Sequence, residues 1–550
     1  MNDRVERTWL TLDGIVTGYP YFGRDDSAAD SWSAALSSFE ASWLLDHERA
    51  WSRAERAVAL LPANLHDDPE TVVLAYATLA LARAGLGLRG DWTDLAPGLT
   101  PTGDPLIDAH PFLFTLGPGD AATFARYAMA EAALALGRVS LSHRLLRSSA
   151  SFADQLAGHH FETVMTVLQV RAAAFAGCVT HATQYAAALS AESDDRLSLL
   201  VESTRALVSG YAADPTATHR LTARVEQLRP TRHDRLTSGV ALLCAYGLIA
   251  LGEVRRSAAL IGRSGWQRAM VIDRVIAHEF LIHAAIDDGD DVAVAAWLAA
   301  AEKQFEGDPI ATSTVERCRS RAALFLGDPA AALAAAERSI AAARVDGRAV
   351  EAAEGEIVKA HAGIALGERG EVARDLERLI DRTDSTGFRA ARRSANRELR
   401  GTGRRLRPVR GLGGSALSER ERQVRDLLLC GLGTAQIAAE LFISTHTTRV
   451  HLARVLAAYG VPSRVALARQ VARTSGDPDV AAAWLRYRLT SRQRAVARET
   501  VAHASTAEIA EALGLSVRTV EKHLTAIMRA WGTDSRLGVV VRAGGVLPRQ

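Results

Sequence analysis

Lysine is almost missing from this chain: Lys303, Lys359 and Lys522 stand against 62 arginines in 550 residues. A nucleotide-binding loop needs a lysine directly after glycine, so that the backbone cradles the phosphates while the ammonium reaches them. No lysine here follows a glycine, which excludes that site. HExxH, GxSxG and a GxGxxG after a strand are also missing, so no catalytic residue, cofactor site or metal site is expected and the chain is not read as an enzyme. Cysteine is scarce. Cys178, Cys244, Cys318 and Cys430 lie far apart with no CxxC, and are read as reduced core thiols of a cytoplasmic protein without histidine at zinc spacing. Long apolar runs are lacking too. The best, Leu236–Gly252, has 17 uncharged residues but holds Thr, Ser and three Gly, so a buried helix is expected and no membrane partner. The opening MNDRVERTWL is charged and has no apolar signal segment.

What the chain has is alanine and leucine at helical spacing. Hydrophobic residues make up 48% and aromatics only 6%, which points to an all-α fold, and the length points to several domains. From residue 31 to 388, amphipathic stretches alternate with breaks at Gly137, Gly177, Gly210, Gly252, Gly289, Gly327 and Gly367. Intervals of 33 to 42 residues suit two antiparallel helices and their turns. One such pair cannot bury its own apolar face, so stacking is expected. EAALALGRVSLSHRLL (131–146), ALFLGDPAAALAAAERSI (323–340) and GIALGERGEVARDLERLI (363–380) resemble the tetratricopeptide class, although the aromatic knob positions are mostly absent. Residues 1–30 are read as irregular. Asp104, Asp108 and His110 are read as a loop rather than a metal site, and Asp287, Asp288, Asp290 and Asp291 around Gly289 as a solvated turn.

Charge divides the chain. Residues 1–388 hold 37 basic and 51 acidic side chains, 389–410 hold 9 and 1, and 411–550 hold 19 and 11. A basic tail on an acidic body suits a polyanion partner. Within the tail, one pattern appears twice, 72 residues apart: Leu417–Arg464 and Leu489–Arg536. In the first, Ser418 and Glu421 form a capping box, Val424, Leu427 and Leu428 make an apolar face, and Gly431 and Gly433 end the helix. Ile437, Ala438 and Leu441 face inward on a second helix. Ser444 caps a third, whose Thr448, Leu452, Val455 and Tyr459 fall on one buried face. The second copy repeats this with Thr490 and Gln493, Ser505 and Glu508, then Ser516 ahead of Val520, Leu524, Ile527 and Trp531.

Both copies resemble the LuxR-type helix-turn-helix domain. The resemblance implies a four-helix module whose third helix enters the DNA major groove. It implies base-reading positions at Arg449, Val450 and Ala453, and at Glu521, Lys522 and Thr525. Thr447, His451, Arg454, Arg518, Thr519 and His523 complete the DNA-facing set. The second copy departs at Gln493, Glu499, Thr500 and His503, which puts its first helix in question. Helical repeats ahead of such domains resemble the MalT-like class of large regulators, without its nucleotide-binding domain.

The organisation expected is an irregular segment (1–30), a TPR-like array (31–388), a basic linker (389–416), a first LuxR-type domain (417–474), a linker (475–488) and a second domain (489–545). The function expected is a bacterial transcriptional regulator with double-stranded DNA as partner. A ligand or protein at the repeats, RNA polymerase and a second copy of the chain are the other admissible partners. The competing reading is a protein-interaction scaffold.

Overall fold

The computed structural model describes the chain apart from residues 1–2, 18, 20, 23–29, 87–103, 118, 148–160, 190–193, 228–233, 404–416, 418, 476–477, 504, 534 and 546–550. The described residues form helices and turns, with no strand among them, so the fold is all-α. The chain divides into two compact units, Met1–Arg405 and Leu406–Gln550.

The first unit is a row of helical hairpins. Alanine and serine at the contact faces let the helices approach closely, and the serines tie them together. In the hairpin Ser31–Trp43 with His47–Ala59, the Ser31 hydroxyl donates to the Ala57 carbonyl and the Ser38 hydroxyl to the Ala50 carbonyl, both at 2.7 Å. In Thr312–Phe325 with Pro329–Val345, Ser339 donates to Ser313 at 2.7 Å and Ser320 to Ala332 at 2.6 Å. The separations, 26 and 12 residues, are the same in both hairpins. The repetition is therefore geometric even where the residues have drifted. Each of these four buried hydroxyls finds an acceptor, for about 1 kcal/mol net.

Six of the seven expected glycine breaks have φ between 71° and 86°, the left-handed turn that glycine adopts without strain. Gly210 differs. It lies inside the helix Asp195–Tyr211, where an added Cβ would stand 2.3 Å from the backbone of Gly247. It serves a backbone-to-backbone helix crossing, and the chain reverses instead near Ala213, at φ 58°.

The row winds back on itself. The Arg348 Nε donates to the Gly137 carbonyl at 3.0 Å, across 211 positions, and Thr180 donates to the Thr386 carbonyl at 3.2 Å, across 206. The winding creates an interior that holds charge. Arg317, its side chain 3% exposed, gives two 2.5 Å hydrogen bonds to the two carboxylate oxygens of Glu279.

Several expectations need correction. The segment 1–30 contains the helix Asp3–Thr17, which buries Thr8, Leu12, Ile15 and Val16. The expected loop around Asp104 is a helix, Pro105–Leu113, with Asp104 as its N-cap accepting from the Leu106 amide at 2.9 Å. The first half of the expected basic linker is the helix Arg389–Gly401, which buries Ala390, Ala391, Ala395 and Leu399. The rest of that linker, 404–416, lies outside the described residues. The turn at Asp287, Asp288, Asp290 and Asp291 is exposed as expected, and Asp290 also caps the next helix, bonded to the Ala293 amide at 2.9 Å. Residues 236–252 are the buried helix expected, built as Arg235–Ser238 and Val240–Ala250, and no described helix is long and apolar enough to cross a membrane.

The cysteines are free, but only Cys244 and Cys318 are core residues, while Cys430 is exposed. Cys178 also has histidine neighbours. Its sulfur and nitrogens of His181 and His143 lie within 4.8 Å of one another. A tetrahedral zinc would hold such atoms roughly 3.5 Å apart, so they form a loose cluster.

Candidate nucleic-acid interface

The second unit is built around two helix-turn-helix copies. In the first, helices Glu419–Leu429, Thr434–Glu440 and Thr445–Ala458 close on Val424, Leu428, Ile437, Leu452 and Val455, all 3% exposed or less. Ser418, half of the expected capping box, lies outside the described residues. Ser444 caps the third helix as expected: its hydroxyl accepts from the Thr447 amide at 3.0 Å. In the second copy, helices Ser491–Ala502, Thr506–Leu513 and Val517–Trp531 enclose Val496, Ile509, Val520 and Ile527, each 0% exposed. Both of its capping boxes are formed, and Ser516 caps the third helix. Arg420 and Arg492 play one role, each donating to a carbonyl 21 residues on, Leu441 and Leu513, at a helix C-terminus where positive charge is favoured.

The residues that put the second copy's first helix in question fit there. The Thr500 side chain is buried and donates to the Ala497 carbonyl at 2.5 Å. Glu499 pairs with His503 at 3.2 Å on the partly exposed side. In the first copy this helix ends near Gly431, at φ 89°; in the second it ends in extended backbone at His503, at φ −108°. A left-handed glycine is therefore not required.

The third helices turn similar faces outward. Arg449, Val450, Ala453 and Arg454 are exposed on the first, and Arg518, Glu521, Lys522 and Thr525 on the second. Thr447, His451, Thr519 and His523 are half-buried. Thr447 and Thr519 are bonded to their caps, with hydroxyl distances of 2.8 Å to Ser444 and 2.7 Å to Ser516. Their hydroxyls are engaged within the protein. Arg454 stands 3.5 Å from Glu421, and Thr525 donates to the Glu521 carbonyl at 2.9 Å. The buried Nδ1 of His451 has no hydrogen-bond partner among the described residues.

The copies also differ at Phe442. It is 96% exposed at the helix-turn-helix corner, with φ 53°, where the second copy has Gly514 at φ 61°. Holding phenylalanine there costs about 1 kcal/mol of backbone strain, and its exposed ring recovers nothing in the free protein. Phe442→Gly is therefore expected to raise the stability of this unit by up to about 1 kcal/mol, read as a higher denaturation midpoint. A lower midpoint would show that the ring packs against the protein.

The element that joins the copies was not legible in the pattern. The helix Arg536–Ala543 gives Leu537, Val540 and Val541 to the first core, alongside Leu467 and Ala468 of Arg464–Ser475. It gives Val539 and Ala543 to the second. The Arg469 Nε, from the first copy, donates to the Thr500 carbonyl of the second at 2.9 Å. Residues 475–488, expected as a linker, contain the helix Pro478–Arg486. Its Trp484 lies 5.7 Å from Trp531, edge to face, under the Arg542 guanidinium at 5.0 Å. Both copies thus belong to one body with a shared interior helix.

Residues 415–471 and 487–543 each match the family described as bacterial regulatory proteins, luxR family, so the two copies are tandem LuxR-type domains. A Mycobacterium tuberculosis protein named as a putative HTH-type transcriptional regulator is 46% identical over 74 residues. A Mycobacterium bovis protein of the same description is 45% identical over 74 residues. The matched stretch is 14% of this chain and 8% of each relative. Among solved structures, the APC/C hetero-tetramer Cut9-Hcn1 is similar at a TM-score of 0.35 and 12% identity, over 72% of this chain and 79% of that one, a likeness too distant to carry an argument.

Proposed function

We propose that the chain is a bacterial transcriptional regulator whose two LuxR-type domains read double-stranded DNA as one intramolecular pair. The observation that carries this reading is the shared helix Arg536–Ala543, which packs into the cores of both readers. Most helix-turn-helix proteins bring two readers together by dimerising. Here one chain supplies both, and they differ at the base-reading positions: Arg449, Val450 and Ala453 against Glu521, Lys522 and Thr525. An asymmetric site follows, without need of a second copy. Arg449 suits the acceptor edge of guanine, Val450 a thymine methyl and Glu521 the cytosine amine. The wound helical unit acts as the sensing module, taking a ligand or a protein and controlling how the tail meets DNA. RNA polymerase is a further partner of this reading, and the cytoplasm, at the nucleoid when bound, is its place.

Arg449→Ala is expected to weaken binding by about 1–3 kcal/mol and to relax preference at one base position. A loss equal across all sequences would make Arg449 a phosphate contact. Gel shifts at two salt concentrations test the reading as a whole, because affinity resting on phosphate contacts falls steeply between about 50 and 200 mM salt. Glu521, an exposed carboxylate on the second reading helix, favours the competing scaffold reading. Salt-insensitive or absent binding would support that one.

A further inference from the structure

The interior of the helical unit holds a cavity of about 120 Å³. Part of its lining is apolar. Phe175, Tyr246 and Phe280 form an edge-to-face row with centroids 5.3 and 5.5 Å apart, and Leu243, Met270 and Ile276 continue the wall. One group of charges on the lining is paired: Glu279 takes Arg317 at 2.5 Å and Arg321 at 3.5 Å, and Arg321 reaches Glu354 at 3.4 Å, although the Arg321 Nε makes no hydrogen bond.

A second group on the lining, Glu131, Arg171, Arg235 and Asp273, is different. Two of the four are engaged, since Arg235 pairs with Glu131 and lies 5.4 Å over the Trp43 ring. Arg171 and Asp273 form no ion pair and no side-chain hydrogen bond with any described residue, and the Arg171 Nε is buried without an acceptor. Asp273 sits in the first turn of Val271–Asp288, yet its carboxylate bonds none of that helix's amides, so capping does not explain it. Burial pushes its carboxyl upward, while Arg171 and Arg235 pull the other way. Buried charges are normally paired, because leaving one unpaired costs several kcal/mol. A guanidinium and a carboxylate left open in one cavity, beside an aromatic wall, call for an outside group of opposite polarity at each.

We propose that this cavity binds a free amino acid with an apolar side chain. Its carboxylate meets Arg171, its ammonium meets Asp273, and its side chain lies along Phe175, Tyr246 and Phe280. The ligand class deepens the sensing role given to the helical unit and rests on it. The two are separable, because calorimetry reads the cavity without DNA and the gel shift reads the tail without ligand.

The test is calorimetry on the full chain with L-leucine, L-phenylalanine and L-tryptophan, then with phenethylamine, which lacks the carboxylate, and 3-phenylpropionate, which lacks the ammonium. At least one amino acid is expected to bind at one per chain. Each cut-down analogue is expected to bind at least about tenfold more weakly than phenylalanine, the loss of one charge-assisted hydrogen bond. Arg171→Gln is expected to weaken phenylalanine about tenfold and leave phenethylamine unchanged; Asp273→Asn is expected to weaken phenylalanine and leave 3-phenylpropionate unchanged. No binding by any of the three amino acids overturns the proposal. So does binding of both analogues as tight as that of phenylalanine, a result on the unaltered protein that holds even where a variant fails to fold.

Discussion

Val540→Asp is expected to unfold both DNA-reading domains together. Val540 is 0% exposed in the first core, on the helix whose Val539 and Ala543 lie in the second. A carboxylate there loses the valine's burial and gains no partner, for about 4 kcal/mol or more. Since domain stability is typically about 5–15 kcal/mol, that removes much of what holds the unit. The helical signal of residues 406–550 and all DNA binding are expected to fall in one transition. Val540→Ala, which leaves only a small void, is expected to cost about 2 kcal/mol and to spare DNA binding at low temperature. If Val540→Asp melts one domain while the other stays folded and bound to DNA, the shared core does not couple them.

Arg317→Met is expected to have the largest effect in the helical unit. Both N–H···O bonds to Glu279 vanish, and Glu279, its side chain 7% exposed, keeps only the 3.5 Å approach of Arg321. Burial raises the carboxyl's pKa, but Arg317 and Arg321 together outweigh it and hold Glu279 below the usual carboxylate range. Breaking a buried pair by removing one partner costs about 3–5 kcal/mol. The double variant Arg317→Met with Glu279→Leu is expected to recover part of that loss, because it removes the stranded charge as well. Urea unfolding of the single and double variants measures both values. A single variant within about 0.5 kcal/mol of the unaltered protein would mean that water already solvates the pair.

The third helices of the two copies were legible because their signals are local. Ser444 and Ser516 cap at the first residue, and Val520, Leu524, Ile527 and Trp531 mark one face by spacing alone. The glycine breaks were legible for the same reason, since glycine takes the left-handed turn without strain whatever lies around it. Gly210 misled because a glycine at a helix crossing and a glycine at a turn look alike in a chain. Helices Asp3–Thr17 and Pro478–Arg486 were missed because tertiary contacts stabilise them: Arg4 with Asp68 in one, Trp484 with Trp531 in the other. The pairing of Arg317 with Glu279 spans 38 positions, beyond the reach of any spacing rule. The apolar run at 539–541 predicts burial but not that two cores share it.

Selection of DNA sequences by the full-length chain, with the stoichiometry of the selected complex measured by mass, most directly tests the claim that one chain holds two unlike readers in one body. The expected result is an asymmetric site with two different half-sites, bound by a single chain, with one half-site altered by Arg449→Ala and the other by Lys522→Ala. A symmetric palindrome bound by two chains, indifferent to Lys522, would contradict it.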